Sequence, residues 1–203
     1  MDINLRTIVI VFDRLNKEHL KYDSLRSLIQ GETAELLDLP TPLAPVVFEY
    51  KRAGLTISII DNRLQIQTSA PEVAKATKEF TDIAGRILTS LPDQQSTIAF
   101  GFNFNYTLRS VSKKVHEIIN LSACLPTYSQ FTFIPETYIK FTFDKKGIKH
   151  YLNLQDSGND ILVYVNVHHE TRLQIDEIRN QLSGHYNDAC ENSQQLIREV
   201  ISP

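Results

Sequence analysis

Apolar and polar residues alternate with a period of two through much of this chain. Ile8, Ile10 and Phe12 share one side of "TIVIVF" (7–12), and Ile98, Phe100, Phe102 and Phe104 share one side of the stretch beginning "TIAFGF" (97–102). The same holds for Phe48 and Tyr50, for Ile139, Phe141 and Phe143, and for Ile161, Val163, Val165 and Val167. Such alternation predicts half-buried strands of an antiparallel sheet. "LQIQT" (64–68) and "ILVYVNV" (161–167) complete the strand set. Elsewhere the period lengthens. Val73, Phe80, Ile83, Ile87 and Leu91 predict a helix over about 71–90, with Pro71 in its first turn and Ser69 and Glu72 spaced as a capping box. Ile175, Ile178, Leu182, Tyr186, Ala189, Leu196 and Val200 predict a second helix over about 172–201, with Thr171 and Gln174 at the same capping spacing. Gly184 interrupts that helix where a bend or a close approach would need it. Two polar stretches, roughly 15–30 and 110–121, also read as helices.

These elements recur in order. "TIVIVF" is echoed by "TIAFGF" 90 residues on, and "LPTP" (39–42) by "LPTY" (125–128) 86 residues on. The hairpin "VVFEYKRAGLTISII" (46–60) is echoed by "IKFTFDKKGIKHYL" (139–152) 93 residues on. Gly54 and Gly147 sit where a hairpin needs a positive φ. Residues 1–92 therefore read as a β-α-β3-α unit and 93–203 as a β-α-β(3-4)-α unit. "QFTFI" (130–134) is the optional extra strand, and its first-half counterpart "PTPLAP" carries three prolines that disfavour one. The expected fold class is α+β: pseudo-duplicated units in one continuous domain, forming one antiparallel sheet with long helices on one face. The copies differ at Ile57 against His150, Thr56 against Lys149 and Ser58 against Tyr151, which points to a specific site nearer the second copy.

The order of elements resembles the saddle of the TATA-binding protein family, which repeats β-α-β4-α twice. The likeness is one of topology. "FDKKGIKHYL" and "YKRAGLTISI" do not match that family's signatures, so no functional residue is carried over. The closing segment "LSGHYNDACENSQQLIREVI" (182–201) resembles the last helix of a sporadically distributed, uncharacterised bacterial family. It too transfers no residue role.

Composition narrows the function classes. The 203 residues are 42% hydrophobic and 22% charged, with a net charge of −3. A generic polyanion binder needs a basic excess, which 21 basic against 24 acidic residues do not supply. Cys124 and Cys190 form no CxxC and read as reduced thiols. "TIVIVF" is too short to span a membrane, and no targeting segment precedes it, so a cytoplasmic protein with no membrane partner is expected.

The helix-free set of alternating positions is largely polar and uncharged. In the first half it holds Val9, Val11, Glu49, Lys51, Thr56, Ser58, Gln65 and Gln67. In the second it holds Thr142 together with the candidate interaction residues Asn103, Asn105, Lys140, Lys149, Tyr151, Asn153, Tyr164, Asn166 and His168. Amides and tyrosines suit recognition, although the wet side of any antiparallel sheet is polar. Leu162, Val9 and Val11 are the residues an entirely wet face would not favour.

Candidate metal ligands are His168, His169, Glu170 and His185. Adjacent strand residues point to opposite faces, and His185 lies 14 residues past Thr171, roughly 21 Å along a helix axis. One site should not gather them, and no metal or other cofactor is expected. His150 falls on the core-facing set and reads as a histidine bonded to a carbonyl; His116 reads as a helix-surface residue. Asp13, Asp61, Asp144 and Asp156 suit turns. No GxSxG, Walker loop or GxGxxG is present.

The reading that follows is a non-enzymatic interaction protein. It binds a protein partner, or itself, through the open sheet face, an edge strand or the C-terminal helix, with a multi-gene bacterial system as the setting to test. A nucleic-acid-binding saddle is the alternative. A small-ligand binder or enzyme with a helix-sheet pocket is the third.

Overall fold

A computed structural model describes residues 1–15, 21–38, 45–69, 73–91, 96–109, 138–157 and 159–201. In chain order the elements are β1 (Asp2–Phe12), α1 (Tyr22–Arg26), β2 (Glu35–Asp38), β3 (Val46–Tyr50), β4 (Leu55–Ile60), β5 (Arg63–Thr68) and α2 (Val73–Thr89). They continue with β6 (Ser96–Arg109), β7 (Tyr138–Lys145), β8 (Ile148–Ser157), β9 (Asp160–His169), β10 (Leu173–Gln174) and α3 (Ile175–Ile201). The fold is α+β, with a large antiparallel sheet and a C-terminal helix. The predicted helix at 110–121, "QFTFI", Cys124 and His116 lie outside the described residues.

The strands form one sheet in the order β2-β3-β4-β5-β1-β6-β9-β8-β7, and β10 pairs with the first residues of β6. The central seam is β1 against β6, with Ile8 opposite Phe102, Val9 opposite Gly101 and Ile10 opposite Phe100. The alternation sorts the faces as the sequence predicts. Phe48, Ile57, Ile66, Ile8, Phe102 and Val167 run in one row across six strands, each at 0–1% exposure. α2 and α3 cover this face. Tyr186 of α3 is the shared contact: its ring lies 5.7 Å from Phe80 of α2, 5.6 Å from Phe102 and 5.5 Å from Phe104. The neighbouring row contains a buried cation. Arg6, opposite Phe104, is 1% exposed. Burial raises the pKa of the Tyr186 hydroxyl and of the Cys190 thiol, and the Arg6 guanidinium works against both shifts.

Several boundaries differ from the pattern-based expectation, each for a physical reason. β1 begins at Asp2 rather than residue 7, which brings Arg6 into the sheet. The helix expected over 15–30 is reduced in the described residues to α1. Tyr50 ends it: its hydroxyl donates to the Leu25 carbonyl and accepts from the Leu28 N–H at 3.0 Å, replacing the next helical hydrogen bonds. A strand absent from the sequence reading, β2, forms just before the prolines and pairs with β3. Ile98, assigned to the core face, is 40% exposed. A register shift beside Phe12 puts Thr97 in the core at 0% instead.

The two hairpins also close differently. Tyr50 faces Leu55 across the loop at 51–54. Phe143 faces His150, and two further pairs lead to a turn at Lys146 (φ 56°) and Gly147 (φ 80°). Phe48 faces Ile57 whereas Phe141 faces Leu152, so strand pairing does not keep the ungapped match of Ile57 with His150, nor those of Thr56 with Lys149 and Ser58 with Tyr151.

α3 starts three residues later than expected, because Leu173 and Gln174 pair with β6. Its cap is formed by Glu177, whose carboxylate accepts the Gln174 N–H at 2.8 Å, in place of the Thr171/Gln174 spacing. The buried seam continues from Ala189 through Ser193 and Ile197, leaving Leu196 and Val200 half-buried. Gly184 is exposed, and a Cβ there would touch nothing within 4 Å, so no close approach requires it.

Two stability outcomes follow. Gly184→Ala should stabilise the protein by about 0.5–1 kcal/mol, read from the denaturant midpoint, since only helix propensity changes. Tyr50→Phe should cost about 1–3 kcal/mol in the same measurement by stranding the Leu25 carbonyl and the Leu28 N–H in a buried place.

Candidate functional site

On the helix-free face the nine candidate interaction residues fall into three cross-strand rows. Asn105, Tyr164, Asn153 and Lys140 are successive partners across β6, β9, β8 and β7. Asn103, Asn166 and Tyr151 form the second row, and His168 and Lys149 the third. Directly opposed residues share a face and touch. The Asn166 amide donates to the Asn103 side-chain carbonyl. The Lys140 ammonium stands 5.1 Å from the centre of the Tyr151 ring. The Asn153 side-chain oxygen is buried with no hydrogen-bond partner among the described residues. Tyr164 is the exposed ring of the patch, at 39%.

Three positive charges at this face and its edge have carboxylate partners. Lys149 meets Glu170 at 3.1 Å, and Lys51 meets Glu35 at 2.7 Å. Arg109, at the end of β6, meets Asp2 at 3.2 Å. Both lysine pKa values are raised by these carboxylates. The pairs are exposed and contribute little to stability. They offset part of the positive charge that a phosphate backbone would need; Lys140, over Tyr151, and Arg63, which donates to Gln65, stand outside these pairs.

The third row has a gap. Val9 opposes Gly101, and Gly101 opposes His168. With no side chain at its centre, the face dips into a cavity of about 260 Å³. Val9, Val11 and Ala99 supply apolar floor, the Asn103–Asn166 pair one wall, His168 another, and Arg63 the rim. The glycine is obligatory here: a Cβ would lie 2.8 Å from the Val167 carbonyl oxygen on β9. Within the Asn pair, the Asn103 amide N–H groups and the Asn166 carbonyl remain to face a ligand. Sequence reasoning singled out Val9, Val11, Asn103, Asn166 and His168 but missed Gly101, Ala99 and Arg63. A glycine inside the strand pattern "FGF" was the signal that could have found them.

The proposed metal ligands divide between the two sides of the sheet. His168, on the open face, lies 3.8 Å from the Glu170 carboxylate. His169 is on the helix side, stacked on Phe100 with ring centres 4.3 Å apart. His185 is nearer than its sequence distance implied, its ring 5.3 Å from that of His169. The chain first crosses to the start of β6 as β10, and α3 then runs back over the sheet. Among the described residues no group of three or more His, Cys, Asp or Glu is placed to hold a metal ion. His150, 3% exposed, directs Nδ1 at the Ile148 carbonyl at 3.1 Å, as the sequence suggested. Asp144 serves its turn, accepting the Gly147 N–H at 3.0 Å. No helix among the described residues is long and apolar enough to cross a membrane.

No protein-family model matches the chain, and no curated protein matches it.

The helix-side histidines generate a pH dependence. Burial, then the nearby His185, His150 and His168, lower the pKa of His169 to about 4; burial also lowers that of His150. Unfolded histidine titrates near 6.5. Between those values the unfolded chain holds more protons, so stability falls as pH drops from about 6.5 towards 4. Thermal melts across this window should show the loss. His169→Phe, which keeps a flat ring against Phe100, should flatten it; an unchanged slope would show that His169 is not the group responsible.

Proposed function

We propose that this chain is a non-enzymatic recognition protein. It holds a protein partner on the helix-free face of its sheet, and one partner side chain enters the cavity over Gly101. That cavity is the observation that carries the reading: an apolar floor beneath two amides and an imidazole, beside the central seam of the face. Such a site accepts an apolar group with a polar end, the kind of anchor that dominates protein interfaces.

Three further features support it. Nine strands spaced by about 4.8 Å make a face of the order of 800 Å² per partner, the size of an ordinary stable interface. Two lysines of the face are matched by carboxylates, which favours a protein over a polyanion. The amide and tyrosine side chains form hydrogen bonds at low entropic cost. We also read the scaffold as two related halves. From the seam outward the strands run β5-β4-β3 on one side and β9-β8-β7 on the other, and each half closes on a helix. On that reading the saddle-like topology provides a broad platform whose centre is the seam.

The test is affinity capture from the native host with the wild-type protein and with Ala99→Leu, which fills the cavity from its floor. The wild type should retain a defined polypeptide, and Ala99→Leu should lose at least 90% of it while its melting temperature stays within about 2 °C. Equal retention by the variant would refute the proposed site. Retention of nucleic acid alone, or self-association alone in sedimentation, would refute the proposed partner.

A further inference from the structure

The side of the sheet under α3 holds a second cavity, of about 280 Å³, between the helix and the β7–β8 turn with the adjoining start of β8 and end of β9. His150, His169 and His185 line it, with Asp188, Glu191 and Lys145 at its edge. It lies across the sheet from the Gly101 cavity and does not depend on the partner proposed above. Its size is near the lower end of small-molecule sites, which run from roughly 300 to 1,000 Å³.

The hydrogen-bond pattern gives this cavity a definite chemical character. His150 approaches the Ile148 carbonyl through Nδ1, so that nitrogen carries the proton and donates. Its Nε2 therefore presents a lone pair. His185 donates through Nε2 to the Gln181 side-chain oxygen at 3.1 Å. His150 is 3% exposed and His169 8%, and the Nε2 atoms of both lack a hydrogen-bond partner among the described residues. Buried polar atoms are almost always paired, and each exception calls for an explanation. Two lysines stand at the edge: Lys145 donates to Asn192 at 2.7 Å, and Lys146 lies beside it in the turn between β7 and β8. Asp188 and Glu191 add negative charge from α3. The inner wall thus offers acceptors, flanked by flat rings.

We propose that this cavity binds a small planar ligand rich in N–H donors, of the amidine or amino-heterocycle class, through the Nε2 lone pair of His150 and its imidazole neighbours. A metal ion is the less suitable occupant, because three ligating groups do not converge among the described residues.

Benzamidine is a probe with this donor character, and benzoate has the same shape with acceptors in place of donors. Long-range proton–nitrogen correlation spectra of the imidazoles, recorded during titration at pH 7.5, report on each ring nitrogen. Benzamidine should shift the Nε2 resonance of His150 saturably, and benzoate should not. His150→Phe should weaken benzamidine binding at least tenfold. Glu191→Lys, an exposed change that leaves the core alone, should weaken it about threefold or more, so the proposal remains testable even if His150→Phe does not fold. Benzamidine without saturation would overturn the proposal, as would benzoate binding equally well. So would zinc alone shifting all three imidazoles, or a His150 Nε2 held by an internal water that benzamidine leaves unchanged.

Discussion

Everything in this molecule depends on the antiparallel pairing of β1 with β6. That seam joins two separate runs of strands into one sheet. Its register sets Ile8 against Phe102 on one face and Val9 against Gly101 on the other. A slip of one residue would turn every side chain of one strand over, removing Phe102 from beneath Tyr186 and closing the Gly101 cavity. The same pairing therefore fixes the helix-side core and the recognition face. Gly101 tightens the constraint, since no Cβ fits against the Val167 carbonyl.

The two faces use this scaffold differently. On the helix side, Tyr186 gathers Phe80, Phe102 and Phe104, so burial of aromatic surface attaches both major helices to the sheet. At one end of that core the aromatic packing passes into imidazoles, with His169 stacked on Phe100 and His185 beside it. Burial opposes the charged form of His169 and lowers its pKa. On the open side, side chains pair with one another across strands through amides, a tyrosine and matched charges, and the seam leaves an apolar depression.

Much of this was legible in the sequence because period-two alternation survives wherever one face of a sheet is buried. The core row from Phe48 to Val167 and the polar row containing Asn103 and Asn166 could be assigned before any coordinate was known. What escaped depends on contacts distant in sequence. The end of α1 is set by a tyrosine hydroxyl more than twenty residues on. Arg6 sits on a core position, but a strand begun at residue 7 leaves it out. Ile98 and Thr97 exchange faces at a register shift that hydrophobicity alone does not reveal. His185 was held apart from His169 by counting along the helix, whereas the path through β10 brings the helix back over the strand. The cavity over Gly101 is defined by an absent side chain, which composition reads only as a glycine in a strand.

The most direct measurement of the central claim is hydroxyl-radical footprinting of the protein alone and with the polypeptide it retains from its native host. The account predicts protection of Tyr151, Tyr164 and His168 on the open face, with the labelling of His185 on the helix side unchanged. Protection confined to α3 and His185, with the open-face tyrosines labelled as before, would contradict it.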